Sequence, residues 1–178
     1  EALSIFSFVI VFYHFELTLT SLFLIILSVF FIIIFFIDLK HYIIPNELTF
    51  PLMAIGFIKS FDPNLNQNIF PNFINSLIGG LFGYLIIWSI ILFYKKFRNK
   101  DGMGLGDAKL MAAIGFWFGW LSIPFTVFIS SVVALVLVIP SLLKKTRNMS
   151  AQIPFGPYII IGSIIYVSFA NQIKNIFF

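Results

Sequence analysis

Two aspartates lie at the ends of long apolar runs. Asp38 follows FFIIIFFI directly, and Asp107 sits among glycines in GMGLGDAKL (102–110), just before another apolar stretch. An ionisable side chain beside a membrane-like segment is energetically costly, so it indicates a functional site. Simpler interpretations exist for both. Asp107 could be the N-cap of a helix. Asp38 could be an interfacial residue whose side chain reaches water or pairs with Lys40.

Two neighbouring carboxyl groups can hydrolyse an amide by acid–base chemistry. Because like charges a few ångströms apart cannot both ionise, the pair shares one proton. The ionised group takes a proton from the attacking water, and the protonated group donates to the carbonyl oxygen and later helps the amine leave. The chain has no cysteine, and its two histidines, His14 and His41, are far apart. We therefore expect no metal site and no cofactor.

The glycines before Asp107 suggest how a substrate approaches. We expect Gly104 and Gly106 to allow positive φ and a close backbone approach, so that an extended substrate can lie beside Asp107. The simpler interpretation is a flexible loop that ends in a helix cap.

Composition indicates a membrane protein. Hydrophobic residues make up 60% of the chain and charged residues 10%, whereas about a quarter of residues are charged in soluble domains. Three uncharged or nearly uncharged runs are long enough to span a bilayer as helices: 17–37, 73–94 and 123–143. Four weaker runs are short or interrupted by Gly or Pro, and each could be re-entrant: 2–13, 48–61, 108–122 and 155–173.

These runs predict an all-α, polytopic integral-membrane helix bundle of about seven (six to seven) transmembrane segments. The polar stretches between them are predicted to be loops: 38–47, 62–72, 95–107 and 144–153. Trp117, Trp120 and Tyr158 are expected to anchor at the membrane interface. Pro45 and the Pro-Phe-Gly-Pro stretch (154–157) are expected to break helices rather than to contact a substrate.

The basic residues are distributed unevenly between the loops. Nine of the eleven fall after the second, fourth and sixth segments: Lys40, Lys95, Lys96, Arg98, Lys100, Lys109, Lys144, Lys145 and Arg147. Lys and Arg accumulate on the cytoplasmic side of membrane proteins. This orientation places both aspartates at the cytoplasmic face, where packing of the second segment against the fifth would bring them together. We expect the basic loops to set topology and contact anionic lipid, not nucleic acid.

Three stretches carry a resemblance to a known family. DLKHYIIPNELT (38–49) resembles the first aspartate block of the type IV prepilin peptidases, GMGLGDAKLMAAIGFWFGW (102–120) their second block, and IPFGPYIIIG (153–162) their final block. The blocks occur in the family's order and spacing, and the resemblance extends over nearly the whole chain. Presenilin-type and signal-peptide peptidases share the Gly-x-Gly-Asp motif, but their Pro-Ala-Leu motif is missing here.

The resemblance implies an aspartyl endopeptidase of the bacterial inner (cytoplasmic) membrane. Such enzymes cut the short basic leader from prepilins and pseudopilins of type IV pili and type II secretion. They cut at the cytoplasmic face, after a glycine that precedes a hydrophobic helix. Block by block, Asp38 and Asp107 match the catalytic pair, and Gly104 and Gly106 match the motif glycines. We expect Lys109 and Pro45 to support the motif, Lys109 by adjusting the charge of the acids or by holding a lipid phosphate. The expected partners are a prepilin or pseudopilin and the lipid bilayer.

Many family members also carry an N-terminal cysteine-bearing domain that methylates the new N-terminus with S-adenosylmethionine. Glu1 resembles the glutamate just past that domain. We expect residues 1–178 to form only the membrane-embedded peptidase domain, without the methyltransferase domain and its activity.

The rival interpretation is an ion-coupled transporter or channel. Intramembrane aspartates beside a glycine-broken helix can bind Na⁺ or relay protons. No inverted repeat is visible, however, and both acids are expected at one face rather than at the midplane. A third interpretation, a non-catalytic scaffold of a pilus assembly machine, would tolerate the loss of either aspartate, and both are present.

Overall fold

The computed structural model describes residues 2–65, 69–98, 104–143 and 153–177. Regular structure in these ranges is entirely helical, which confirms the predicted all-α class. Eight helices follow one another along the chain: α1 (Ala2–Phe15), α2 (Leu19–His41), α3 (Asn46–Lys59), α4 (Phe73–Arg98), α5 (Leu105–Phe118), α6 (Ser122–Leu143), α7 (Gly156–Ser168) and α8 (Ala170–Phe177). The apolar run at 155–173 forms two helices, since α7 ends before Phe169.

Long and short apolar helices are mixed in the bundle. By length and composition, α2, most of α4 and the first eighteen residues of α6 can each cross a membrane, in agreement with the three strongest apolar runs. The other predicted segments form shorter helices, of 13 or 14 residues in α3, α5 and α7. Such helices are about 20 Å long. The chain is therefore a polytopic membrane helix bundle, as predicted.

Helix boundaries differ from the predicted loops at both aspartates. α2 continues to His41 instead of ending before the predicted loop at 38–47, so Asp38 lies in its last turn. α5 begins at Leu105, so Asp107 lies in its first turn. Predictions for Gly102 and for the basic residues Lys100, Lys144, Lys145 and Arg147 lie outside the described residues.

Local hydrogen bonds define the length of α2. At its start, the Ser21 N–H donates to Thr18 Oγ1 and the Thr18 N–H donates to Ser21 Oγ, at 3.3 and 3.1 Å. This reciprocal pair satisfies amide groups that have no acceptor within the helix. At its end, Tyr42 adopts a left-handed conformation (φ 59°) and its N–H donates to the Asp38 carbonyl oxygen. Asp38 is thereby fixed on the final turn.

Glycines allow α4 and α5 to pack with backbones in contact. Gly79 and Gly83 of α4 are spaced four apart, as are Gly115 and Gly119 at the end of α5. A Cβ atom at Gly79 would lie 2.5 Å from the Gly115 carbonyl oxygen, and one at Gly83 would lie 2.6 Å from that of Met111. Small residues at this spacing permit close helix approach in membranes. α5 is also contacted by α3, α6 and α7, so it forms the centre of the bundle.

The C-terminal end of α5 is enclosed by buried polar contacts. Lys59 Nζ donates to the Trp117 carbonyl oxygen at 2.9 Å and lies 3.8 Å from the centroid of the Phe70 ring. Trp117 is fully buried and its Nε1 donates to the Leu52 carbonyl oxygen at 2.8 Å. The predicted interfacial position of Trp117 is therefore wrong. Because its indole N–H donates to the Leu52 carbonyl oxygen, the ring can be buried without loss of a hydrogen bond.

Candidate active site

Asp38 is held by the start of α7. Its carboxyl group is buried, and Oδ2 accepts a hydrogen bond of 2.9 Å from the Gly156 N–H. Gly156 is the first residue of α7, where amide groups have no acceptor within the helix and favour a negatively charged partner. A Cβ atom at Gly156 would lie 2.7 Å from Asp38 Oδ2. A side chain at this position would collide with the carboxyl group it now contacts.

Asp107 is held by the residue that caps its own helix. The side chain is 8% exposed, and Oδ2 accepts a hydrogen bond of 3.2 Å from the Gly104 N–H. Gly104 is the N-cap of α5. Asp107 is therefore not the N-cap itself. It lies three residues further along and bonds back to the cap residue, as the acidic partner of a capping box does.

The two carboxyl groups lie at the same end of the bundle, on either side of Ile44. Ile44 packs against Gly106, the residue before Asp107, and against Gly156, whose N–H donates to Asp38. In the described residues no Cα atom of α2 lies within 8 Å of one in α5, so the predicted packing of these two helices occurs through side chains. One such contact joins the rings of Phe23 and Trp117, whose centroids are 6.3 Å apart. α7 contacts both helices.

The predicted conformation of the two motif glycines is wrong. Among the described residues, Gly119 is the only glycine with positive φ. Gly104 is extended (φ −84°) because it caps α5, and Gly106 lies inside the helix. Close approach, the other expected property, is present at Gly106 alone. A Cβ atom there would lie 2.9 Å from Ile44 Cβ, whereas one at Gly104 would meet no heavy atom nearer than Asp107 Oδ2 at 3.7 Å.

Lys109 and Pro45 both lie next to the connection between α2 and α3. Lys109 Nζ donates to Asn46 Oδ1 at 2.6 Å, which links α5 to the first residue of α3. Pro45 is the N-cap of α3 and its carbonyl oxygen accepts from the Thr49 N–H at 3.1 Å. The predicted roles of Lys109 in adjusting the charge of the acids or binding lipid phosphate stay predictions.

Sequence patterns alone did not single out Gly156, Ile44 or Asn46. Gly156 had a visible signal, since it stands between two prolines in a stretch that resembles the final family block. Ile44 and Asn46 lie in the stretch 38–49 that resembles the first aspartate block, but the resemblance gave neither of them a role.

The fold and site define a class: a helical membrane protein with two buried carboxyl groups at the same end of its bundle. Such a pair can exchange protons with a water molecule or a carbonyl oxygen between them. Residues 25–139 match the family described as the type IV leader peptidase family, so the chain belongs to this family. The matched range contains Asp38 and Asp107 but ends before Gly156.

Individual relatives agree with the family match. The chain is similar to a prepilin leader peptidase/N-methyltransferase of Pseudomonas aeruginosa, with 35% identity over 78% of this chain and 46% of the relative. The protein of the same name from Xanthomonas campestris pv. campestris is 38% identical over 85% and 51%. That from Legionella pneumophila is 32% identical over 92% and 55%. The chain thus spans about half the length of these relatives. No solved structure matches it.

Proposed function

We propose that this chain is an aspartyl endopeptidase that removes the short basic leader from prepilins or pseudopilins, after a glycine at the cytoplasmic face of the bacterial inner membrane. One observation carries the proposal: Asp38 and Asp107, from separate sequence motifs, are both buried at the same end of the bundle, where Ile44 packs against a glycine beside each of them. Membership of the type IV leader peptidase family supports the substrate class.

The proposed reaction uses the two carboxyl groups in different protonation states. The ionised group removes a proton from water as the water oxygen bonds to the scissile carbonyl carbon, and the protonated group donates to the carbonyl oxygen. When the carbon–nitrogen bond breaks, a proton returns to the leaving amine. The Gly156 and Gly104 amides, at 2.9 and 3.2 Å, keep each carboxyl group oriented before the substrate arrives.

Membrane position supports the choice of cleavage site. The basic leader of a prepilin resists translocation and stays in the cytoplasm, while the following hydrophobic helix lies in the bilayer. The bond between them is then held at the depth of the two aspartates, and such positioning supplies a large part of a catalytic rate. The rival interpretation as an ion-coupled transporter gains no support from the family match. The N-methyl transfer named in the relatives is not carried over to this chain.

Replacement of each aspartate tests the proposal. Asp38→Asn and Asp107→Asn keep the shape of the side chain but remove the acid, and each should lower the rate of leader removal by about 10²–10⁴-fold. The measurement is the mass of a purified prepilin after incubation with the purified chain in detergent. Asp62→Asn, in the turn beyond α3, is the control and should keep wild-type activity. Near-normal turnover by either site variant would refute the two-carboxylate mechanism.

A further inference from the structure

Ile44 occupies the space between the two aspartate-bearing motifs. Its Cβ lies 2.9 Å from the position that a Cβ atom on Gly106 would take, next to Asp107. Its Cδ1 lies 3.0 Å from the position of a Cβ atom on Gly156, and Asp38 Oδ2 lies 2.7 Å from that same position. One side chain therefore borders the surroundings of both acids, through a different atom on each side.

The backbone around Ile44 is fixed at both ends. Tyr42 ends α2 in the left-handed conformation, and Pro45 begins α3 as its N-cap. The hydrogen bond from Lys109 to Asn46 attaches the far end of this connection to α5. Ile44 is partly buried and packs against the edge of the hydrophobic core. It therefore forms a fixed apolar wall beside the acids.

We propose that Ile44 limits the size of the substrate residue on the amino side of the scissile bond. This inference rests on the proposed function. A peptide bond attacked between Asp38 and Asp107 brings a flanking Cα atom beside Ile44, which already packs closely against Gly106 and Gly156. In the proposed function the residue on the amino side of that bond is a glycine. Glycine is accepted because it has no Cβ atom to meet Ile44.

Ile44→Val tests this directly because it removes Cδ1 alone, the Ile44 atom that approaches Gly156. Two prepilins are compared as substrates, one with glycine and one with alanine before the cut, and kcat/KM is measured for each. One methyl group of space in a pocket changes discrimination by about 10–200-fold. We expect Ile44→Val to raise the alanine-to-glycine ratio of kcat/KM by about tenfold, and Ile44→Ala to raise it further.

The matched control is Ile43, the preceding residue, which is 59% exposed. Ile43→Val and Ile43→Ala should leave the ratio unchanged. An unchanged ratio in active Ile44→Val, an equal loss with both substrates, or the same shift in the Ile43 variants would each overturn the assignment. If the wild-type chain cleaves neither prepilin, the proposed function fails and this inference fails with it. If the wild-type chain cleaves the glycine substrate, the proposed function holds, and the Ile44 variants then test this inference alone.

Discussion

The glycines around the two acids differ in the room that their neighbours leave. Gly106 and Gly156 each face Ile44 or Asp38 at distances that no Cβ atom tolerates, while a Cβ atom on Gly104 would make only ordinary van der Waals contacts. A shared motif therefore contains glycines with different physical roles. At Gly106 the absence of a side chain permits close contact with Ile44. At Gly104 the backbone N–H donates a hydrogen bond to the Asp107 carboxyl group.

Gly106→Val should strongly reduce leader cleavage while the protein stays folded. The reason is steric, since the new Cβ would lie 2.9 Å from Ile44 Cβ and the added methyl groups must displace Ile44 from beside the acids. Gly104→Ala is the matched control and should keep near wild-type activity, because its φ of −84° suits alanine and the N–H is retained. Cleavage kinetics and thermal stability in detergent are measured together. Normal cleavage by a stable Gly106→Val protein would mean that Asp107 merely caps α5.

Chelators and thiol reagents should leave the peptidase active. The proposed chemistry needs only the carboxyl groups of Asp38 and Asp107, and the chain has no cysteine to alkylate. Cleavage is measured before and after treatment with EDTA or iodoacetamide, with the prepilin itself free of cysteine. Loss of activity in EDTA that a divalent ion restores would show that a metal takes part and that the two-carboxylate scheme is wrong.

At the scale of helices, contact between α4 and α5 determines where Asp107 lies. Gly79 faces Gly115 and Gly83 faces Met111, so the two helices are antiparallel and their backbones touch. Ser76 adds a hydrogen bond of 2.7 Å from its Oγ to the Phe116 carbonyl oxygen. Because lipid tails give helices no hydrophobic drive to associate, such close packing and polar contacts hold the bundle together.

Gly115→Ala should destabilise this helix pair. The new methyl group would overlap the Gly79 carbonyl group, so the backbones must separate. Overpacking of this kind costs about 1–3 kcal/mol. The midpoint of thermal unfolding in detergent should fall, and cleavage should fall with it as Asp107 moves. Gly104→Ala, a glycine-to-alanine change that makes only ordinary van der Waals contacts, should leave the midpoint unaltered. An unchanged midpoint for Gly115→Ala would mean that the helices pack more loosely than described.

Across the whole molecule, the described contacts separate into two ends. At the end with the acids, hydrogen bonds link Gly156 to Asp38 and Lys109 to Asn46, and Ile44 packs against Gly106. The opposite end joins Lys59 to Trp117 through a buried hydrogen bond. The exposed basic residues Lys40 and Lys96 lie at the first end, which agrees with a cytoplasmic site under the positive-inside rule.

Single cysteines should report this orientation. The charge pattern suggests three label sites: Asn99, Asn148 and Asn66. All three lie outside the described residues, so exposed positions among the described residues are preferable. Lys96→Cys should react with a membrane-impermeant maleimide only from the cytoplasmic side, and Asn64→Cys only from the opposite side. The chain has no other cysteine, so each label is unambiguous. Labelling of both from one side would contradict the topology and place the site in doubt.

The sequence by itself determined that the chain is a helical membrane protein, and it singled out the two acids as the candidate site. Lipid offers the backbone no hydrogen-bond partners, so uncharged runs of about 20 residues must be helices. Asp38 and Asp107 stand out because charge is rare and costly at the ends of such runs. The predicted helix boundaries were less accurate. The polar stretch that begins at Asp38 is compatible with a further helical turn, and α2 continues through it to His41. That turn depends on the conformation of Tyr42.

Only the tertiary structure decided what surrounds the acids. The amide that holds Asp38 comes from Gly156, 118 positions further along the chain, and no local pattern encodes that pairing. The burial of Trp117 depends on a Leu52 carbonyl oxygen in another helix. The place of Ile44 depends on how α2, α5 and α7 meet. Periodicity and composition specify which residues enter the membrane, but contacts between distant helices arise from how their surfaces fit, and that fit is a property of the folded bundle.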